Sequence, residues 1–278
     1  MPLTDCHTHT KISPDSDAKL HDMLKAAQDA GLAAIALTDH IELCRWHPQK
    51  YYNTPPRNEE DFYEYSVRFE MAMAQNGLAK TTGGVQVISG IELGEPNVDI
   101  RLAERVYLDK RLDFVIASLH ELPHKLDFYF LDYQKEDVDA LLTEYFETLR
   151  TIAGQDCYDV MGHITYPLRY IEGDAGIRVD LAKYRDTIAD TFRTVIARGK
   201  GIELNTSGYR QTYGKPFPDE DLLRLYKDLG GEILTLGSDA HKPEDVGAGI
   251  AEGAALAKAV GFDRVCYFLR HEPKFLEI

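Results

Sequence analysis

The stretch Thr4-Asp5-Cys6-His7-Thr8-His9 ends a short strand-like run in two histidines that are separated by one residue. In an extended strand, residues i and i+2 point to the same side, so both imidazoles can reach one metal ion. Five later apolar runs also end in a histidine or a carboxylate, within residues 35–40, 88–92, 115–120, 158–163 and 234–241. These six endings predict strands that converge on one point, as at the C-terminal mouth of a barrel of alternating strands and helices.

The side chains at these endings are imidazoles and carboxylates without thiolates, which suits Zn, Fe or Mn. Glu92 lies between two apolar residues, where a buried carboxylate needs a partner, either a basic side chain or one or two bridged cations. Asp39 is adjacent to His40, and we assign the metal to His40 and a supporting role to Asp39. A single histidine after a strand can also be a hydrogen-bonded core residue. The candidate ligands are His7, His9, His40, Glu92, His120, His163, Asp239 and His241.

Strand and helix patterns alternate along the chain, which predicts an α/β fold with a mostly parallel sheet. Helices are expected over 18–30, 180–198 and 219–229, and Pro243 is expected to open the last helix. Most of the strand candidates are continuous apolar runs, typical of strands that are covered on both faces. They lie near 3–6, 33–37, 85–91, 113–118, 158–161, 201–204 and 232–236, with a weaker one near 264–269.

Three long, aromatic-rich connections follow strand ends, at residues 41–63, 121–135 and 205–217. Long loops at the mouth of a barrel are usually binding loops. Their aromatic rings would then line the binding site, although local packing explains any single ring equally well.

The length and composition limit the classes of protein to which this chain can belong. The 278 residues fit one barrel domain over 1–278, and 44% hydrophobic residues are enough for a core. The formal charge of −15 argues against nucleic acid as a partner, because phosphate binding needs a basic face. No run approaches the roughly 20 apolar residues of a membrane span. The four cysteines form no C-x-x-C pair, so we expect reduced thiols and a cytoplasmic protein.

Taken together, these motifs resemble the polymerase and histidinol phosphatase (PHP) family over nearly the whole chain. The resemblance implies a distorted (β/α)7 TIM-like barrel, a single metallohydrolase domain and three divalent transition metal ions. The first ion would have His7, His9, Glu92 and Asp239. The second would have Glu92, His120 and His163, with Glu92 bridging. The third would have His40 and His241, together with Asp15, where many relatives carry a histidine, or with Asp17 instead. The matching pieces are HTH at 7–9, TDH at 38–40, GIELG at 90–94, SLH at 118–120, GHI at 162–164 and SDAH at 238–241.

Within the family, the length, the opening HTHTKISPDSD and the stretch GHITYPLRY at 162–170 resemble the histidinol-phosphatase branch. The resemblance implies hydrolysis of L-histidinol phosphate in histidine biosynthesis. A metal-bound hydroxide would attack a metal-bridging phosphate, so no protein nucleophile is required. Asp239 or His241 would carry protons. Arg169 and Arg210 would bind phosphate oxygens, or they would form ordinary surface ion pairs.

Other functions also fit the sequence. A PHP-type enzyme could act on a different small phosphoester, such as a nucleotide or phosphotyrosine. An amidohydrolase acting on a C–N bond would also use a histidine-rich barrel, but such enzymes often carry a metal-bridging modified lysine, and no lysine lies at a predicted strand end. A non-catalytic metal-binding protein would explain the ligands but not the aromatic loops.

Overall fold

A parallel sheet forms the centre of the fold in the computed structural model, which describes residues 3–43, 65–123 and 125–278. Neighbouring strands in this sheet follow the order β1-β2-β4-β5-β6-β7-β8, and β3 pairs with β4 beyond the end of β2. The strands are β1 (Thr4–Asp5), β2 (Ala34–Leu37), β3 (His40–Glu42), β4 (Gln86–Gly94), β5 (Phe114–Ser118), β6 (Val160–Met161), β7 (Gly201–Asn205), β8 (Leu234–Gly237), β9 (Arg264–Leu269) and β10 (Glu272–Glu277).

The sheet curls until its first and last strands meet. The amide of Cys6 donates to the carbonyl of Leu236 at 2.8 Å, and the amide of His9 donates to the carbonyl of Ala240 at 2.8 Å. These bonds nearly close a barrel, so the predicted distorted (β/α)7 architecture is confirmed. Every residue of β2 and β5 is buried, which explains why their sequences lack the alternation of a half-exposed strand.

Helices connect the strands and pack around the sheet. Several of them begin at an aspartate whose side chain accepts a hydrogen bond from the first turn, as Asp99 does from the amide of Leu102 at 3.0 Å. Within the described residues, none of the helices combines the length and apolar character that crossing a bilayer demands. The helices are α1 (Leu20–Asp29), α2 (Tyr65–Ala79), α3 (Ile100–Tyr107), α4 (Val138–Ala153), α5 (Arg185–Ala197), α6 (Glu220–Asp228) and α7 (Ile250–Val260).

Two predicted helix boundaries differ from the structure. The segment expected as one helix over 180–198 begins with a separate 3-10 turn, Leu181–Tyr184, before α5. Pro243 opens only a short 3-10 turn, Pro243–Asp245, and α7 begins at Ile250. Gly247 and Gly249 stand between them with φ of 77° and 76°, a left-handed conformation that interrupts a helix.

The weak strand candidate near 264–269 is a strand, but it lies outside the parallel sheet. It forms an antiparallel hairpin with β10. Phe268 of this hairpin is buried and stacks on Phe114 with ring centroids 5.2 Å apart, and Cys266 joins the same buried cluster. Phe114 begins β5, so the hairpin covers the end of the barrel opposite to the mouth. The hairpin therefore does not cover the mouth, where the strand ends carry the histidines.

Candidate metal centre

Seven of the predicted ligands follow or stand on strands that end at one mouth of the barrel. His7 and His9 follow β1, His120 follows β5, His163 follows β6, and Asp239 and His241 follow β8. Glu92 stands within β4, and His40, the eighth, opens β3, where it pairs in register with Glu92. The structure thus brings these eight residues together, although they are up to 234 positions apart in the chain.

Glu92 lies at the centre of this group and is 1% exposed. Its Oε1 atom is 3.1 Å from His120 Nε2 and 2.8 Å from His163 Nε2. Its Oε2 atom is 2.9 Å from His40 Nδ1 and 3.2 Å from His7 Nε2. The two oxygens of one carboxylate therefore face two different sets of imidazoles.

His7, His9 and Asp239 form a compact set on one side of Glu92, with ligand atoms within 4.8 Å of one another. His9 Nε2 is 3.3 Å from Asp239 Oδ1 and 3.5 Å from Glu92 Oε2. Asp239 has a φ of 55°, a left-handed conformation that aspartate tolerates better than most residues. The amide of Asp239 donates to the carbonyl of His7 at 2.8 Å, which ties the two strand ends together.

His9, His40 and His241 form a second compact set, nearer to solvent. The Oδ2 atom of Asp15 lies 3.0 Å from His241 Nε2 and 3.5 Å from His40 Nε2. Asp15, rather than Asp17, is therefore the carboxylate that the structure places beside these two histidines. Its side chain is 54% exposed, so this part of the group opens to the mouth.

The group fits metal ions because several of its buried atoms point inward without a hydrogen bond. Natural proteins seldom leave buried polar atoms unsatisfied, so each such atom needs an explanation. Here the atoms belong to five neighbouring side chains whose ligand types suit Zn, Fe or Mn. The atoms are His7 Nε2, His9 Nε2, His40 Nδ1, Glu92 Oε2 and His241 Nε2.

The electrostatics of the group favour cations. Burial would raise the pKa of Glu92, but His40, His7 and His120 hold it well below its ordinary value. Burial would likewise raise the pKa of Asp239, and His7 is the main group that instead holds it well below. Burial, with the charges of His241 and His40, lowers the pKa of His9 to about 3. The carboxylates are thus ionised and His9 is a neutral imidazole, whereas nearby carboxylates raise the pKa values of His7, His40 and His120 well above the ordinary value. A bound cation would replace the protons of these three histidines.

Asp39 does not belong to the group itself and is linked to His9 through Ser13. Its carboxylate accepts from the amide of Thr10 at 2.7 Å and from the hydroxyl of Ser13 at 2.7 Å. The hydroxyl oxygen of Ser13 lies 3.0 Å from His9 Nδ1. Because this hydroxyl donates to Asp39, it is free to accept from His9 Nδ1, which leaves His9 Nε2 to face Asp239.

The sequence did not single out three further carboxylates in contact with the candidate ligands. Glu203 Oε1 is 2.6 Å from His7 Nδ1. Glu42 Oε1 is 3.5 Å from His120 Nδ1, and Glu95 Oε1 accepts from the amide of His120 at 2.8 Å. One signal was available: Glu203 stands in Gly-Ile-Glu-Leu at 201–204, the tetrapeptide that also contains Glu92 at 90–93.

The predicted phosphate-binding arginines differ in their surroundings. The guanidinium of Arg169 lies over the rings of Tyr166 and Tyr170, 5.4 and 5.3 Å from the centroids. Arg210 donates to the carbonyl of Ser238 at 2.8 Å and lies 3.4 Å from Asp245. Arg169 therefore contacts aromatic rings, whereas Arg210 contacts a main-chain carbonyl and the carboxylate of Asp245.

Much of the aromatic content of the loops packs locally. Phe128 and Tyr133 of the 121–135 loop and Tyr213 and Phe217 of the 205–217 loop are buried in the main core. Tyr129 is 64% exposed and remains available at the surface. The third aromatic loop, 41–63, lies outside the described residues from position 44 onward.

The chain is similar to known proteins over most of its length. A probable histidinol-phosphatase of Thermotoga maritima is 26% identical over 261 residues, which cover 94% of each chain. The histidinol-phosphatase of Lactococcus lactis is 26% identical and is matched over 95% of its length. The crystal structure of histidinol phosphate phosphatase from Lactococcus lactis, in complex with zinc, L-histidinol and phosphate, has a TM-score of 0.71 at 23% identity and covers 98% of each chain. The PHP domain model matches residues 5–207, and the chain therefore belongs to the PHP domain family.

Proposed function

We propose that this protein is a metal-dependent phosphomonoesterase that hydrolyses L-histidinol phosphate to L-histidinol and phosphate. The observation that carries the proposal is the position of Glu92, whose two oxygens face two sets of imidazoles. A carboxylate in this position suits two neighbouring cations, the arrangement that clamps the oxygens of a phosphoryl group. A modified lysine, which would indicate C–N bond hydrolysis, is not needed where Glu92 can bridge.

We assign the candidate ligands to three ions per chain, drawn from Zn, Fe or Mn. His7, His9, Glu92 and Asp239 would hold the first, and Glu92, His120 and His163 the second. Asp15, His40 and His241 would hold the third. The inward atoms that lack a hydrogen bond support this assignment, because each ion would satisfy several of them. Ions of this kind, when bound, supply positive charge to phosphoryl oxygens and lower the pKa of water.

The remaining residues of the mouth would bind the substrate and move protons. Arg169, whose guanidinium lies over the rings of Tyr166 and Tyr170, would donate to two phosphate oxygens. Arg210, whose guanidinium is bound to the carbonyl of Ser238, would fix the segment that carries Asp239. His241 Nδ1 lies 3.5 Å from Asp239 Oδ1, and the His241 side chain is 26% exposed. Either Asp239 or His241 would relay the proton that the attacking water gives up to the departing alcohol oxygen.

The choice of L-histidinol phosphate rests on the relatives and on charge. Two of the similar proteins are named probable histidinol-phosphatase and histidinol-phosphatase, and a similar structure was crystallised with L-histidinol and phosphate. The leaving group is cationic, and the chain carries a formal charge of −15. Glu121, which is buried directly after His120, is the place where we expect contact with the leaving group. We further propose a single domain over 1–278 acting on a small molecule in the cytoplasm, without nucleic acid or membrane partners.

Metal removal and restoration test the metal-dependent part of this proposal. Protein stripped with a chelator should lose phosphate release from L-histidinol phosphate and regain it when zinc, iron or manganese is restored. Elemental analysis of the restored protein should give more than one ion per chain, approaching three. At most one ion per chain, or phosphate release that survives chelation, would contradict the proposal.

A further inference from the structure

Glu203 is a fully buried carboxylate with an unusual set of partners. It stands in β7 and is 0% exposed. Its Oε1 atom lies 2.6 Å from His7 Nδ1. Its Oε2 atom accepts from the main-chain amide of His163 at 2.9 Å and from the side-chain amide of Asn205 at 3.2 Å. Burying a carboxylate is costly unless its oxygens are hydrogen-bonded, and these contacts meet that need.

We propose that Glu203 is a positioning residue that joins the two ion positions on either side of Glu92. This inference rests on the proposed metal centre but not on the identity of the substrate. A histidine that gives its Nδ1 hydrogen to a carboxylate presents the lone pair of Nε2 to a metal, with its ring orientation fixed. In His7 that Nε2 atom faces Glu92 Oε2 at 3.2 Å and Asp239 Oδ1 at 3.8 Å.

The second oxygen of Glu203 acts on the other ion position. By accepting from the amide of His163, it fixes the main chain from which that imidazole projects. His163 Nε2 then lies 2.8 Å from Glu92 Oε1. One carboxylate is therefore connected to a candidate ligand on each side of Glu92, and it sets the separation between them.

Gly237 provides the space for this contact. A Cβ atom added at position 237 would lie 2.2 Å from Glu203 Oε1 and 2.5 Å from the Cβ atom of His7. Neither neighbour can move away without breaking the contact between Glu203 and His7, because Glu203 is also bound to His163 and Asn205. The close approach of β7, β8 and the segment after β1 thus depends on a glycine at this position.

The substitution Glu203→Gln tests the role of the carboxylate. Every contact of Glu203 is made as an acceptor, so glutamine must turn its NH2 group toward a donor on one side. We expect the dissociation constant for zinc, measured by competition with a chelator and without substrate, to rise about 10–100-fold. Gly237→Ala should also raise the dissociation constant for zinc. If both variants bind zinc as tightly as the wild type, the positioning role is overturned.

Asp159→Asn is the matched control for the loss of a buried carboxylate. Asp159 is 2% exposed and lies 2.9 Å from His271 Nδ1, directly before β6 and therefore at the end of the barrel opposite to the mouth. This variant should have a lower thermal midpoint but unchanged zinc affinity. If Glu203→Gln behaves like this control, Glu203 serves stability alone. Wild-type protein that binds no zinc would instead contradict the proposed function itself.

Nuclear magnetic resonance of the zinc-loaded wild type keeps the inference testable if Glu203→Gln does not fold. The His7 ring should keep a slowly exchanging, hydrogen-bonded proton on Nδ1 and carry the metal on Nε2. A His7 ring without a proton on Nδ1 would overturn the inference.

Discussion

The imidazole of His7 lies between two glutamates, with Glu92 beside its Nε2 atom and Glu203 beside its Nδ1 atom. Glu92 Oε2 lies 3.2 Å from Nε2, and Glu203 Oε1 lies 2.6 Å from Nδ1. Both glutamates occur in the tetrapeptide Gly-Ile-Glu-Leu, one in β4 and one in β7. Identical local sequences therefore have different surroundings, since Glu92 faces the candidate metal positions and Glu203 contacts the opposite nitrogen of His7.

The substitution Glu92→Gln should damage metal content and turnover more than Arg169→Ala. An amide keeps the shape of the side chain but loses the charge that holds two cations together. Arg169 would contribute mainly uniform binding of the phosphate, so its loss should chiefly raise KM. Elemental analysis and steady-state kinetics of both variants check this prediction, and near-normal turnover in Glu92→Gln would remove Glu92 from the site.

The hairpin of β9 and β10, which covers the end of the barrel opposite to the mouth, should contribute stability without affecting the candidate metal centre. Phe268→Ala should lower the free energy of unfolding by about 3–5 kcal/mol, because it empties a buried aromatic position. Phe275→Ala in the same hairpin is the control, since Phe275 is 39% exposed. This substitution should lower the free energy of unfolding by about 1 kcal/mol. Denaturant unfolding of the two variants measures the difference, and equal losses would show that the contact with Phe114 adds nothing.

The stability of the metal-free protein should pass through a maximum between about pH 4.5 and 6.5. Burial opposes ionisation of Glu92 and Asp239, but neighbouring histidines hold both pKa values well below the ordinary range. Their contribution is present above the unfolded pKa and is lost as the pH falls.

Histidines set the upper limit of this range. Burial would lower the pKa values of His7 and His40, but Glu203 chiefly raises that of His7, and Glu92 chiefly raises that of His40, well above the ordinary value. Their contribution is present below the unfolded pKa and is lost as the pH rises through the folded pKa. Thermal midpoints of the chelated protein across this range check the prediction. A midpoint that increases steadily from pH 6 to pH 8 would contradict it.

A parallel barrel and eight candidate ligands could be predicted from the sequence because each depends on a local pattern, whereas the (β/α)7 architecture and Asp15 were implied by the family resemblance. An apolar run followed by a histidine or carboxylate marks a strand end, and β8 shows this in Leu234–Gly237 with Asp239 and His241 after it. Strand β3 was not predicted, because its three residues are too few for a pattern.

The supporting carboxylates were harder to predict, because their roles depend on contacts between distant strands. Glu203 meets His7, which is 196 positions away in the chain. The aromatic loops were predicted only by composition, and composition does not separate a ring that lines a site from one that packs in the core, as Phe128 does.

Substrate preference tests the central claim most directly. The measurement is kcat/KM of the metal-restored protein for L-histidinol phosphate, compared with p-nitrophenyl phosphate, a nucleotide monophosphate and a phosphotyrosine peptide. We predict at least about a tenfold preference for L-histidinol phosphate, which corresponds to about 1.4 kcal/mol of transition-state binding and requires only one or two contacts to the leaving group. Equal kcat/KM values for L-histidinol phosphate and the other substrates would contradict the assignment.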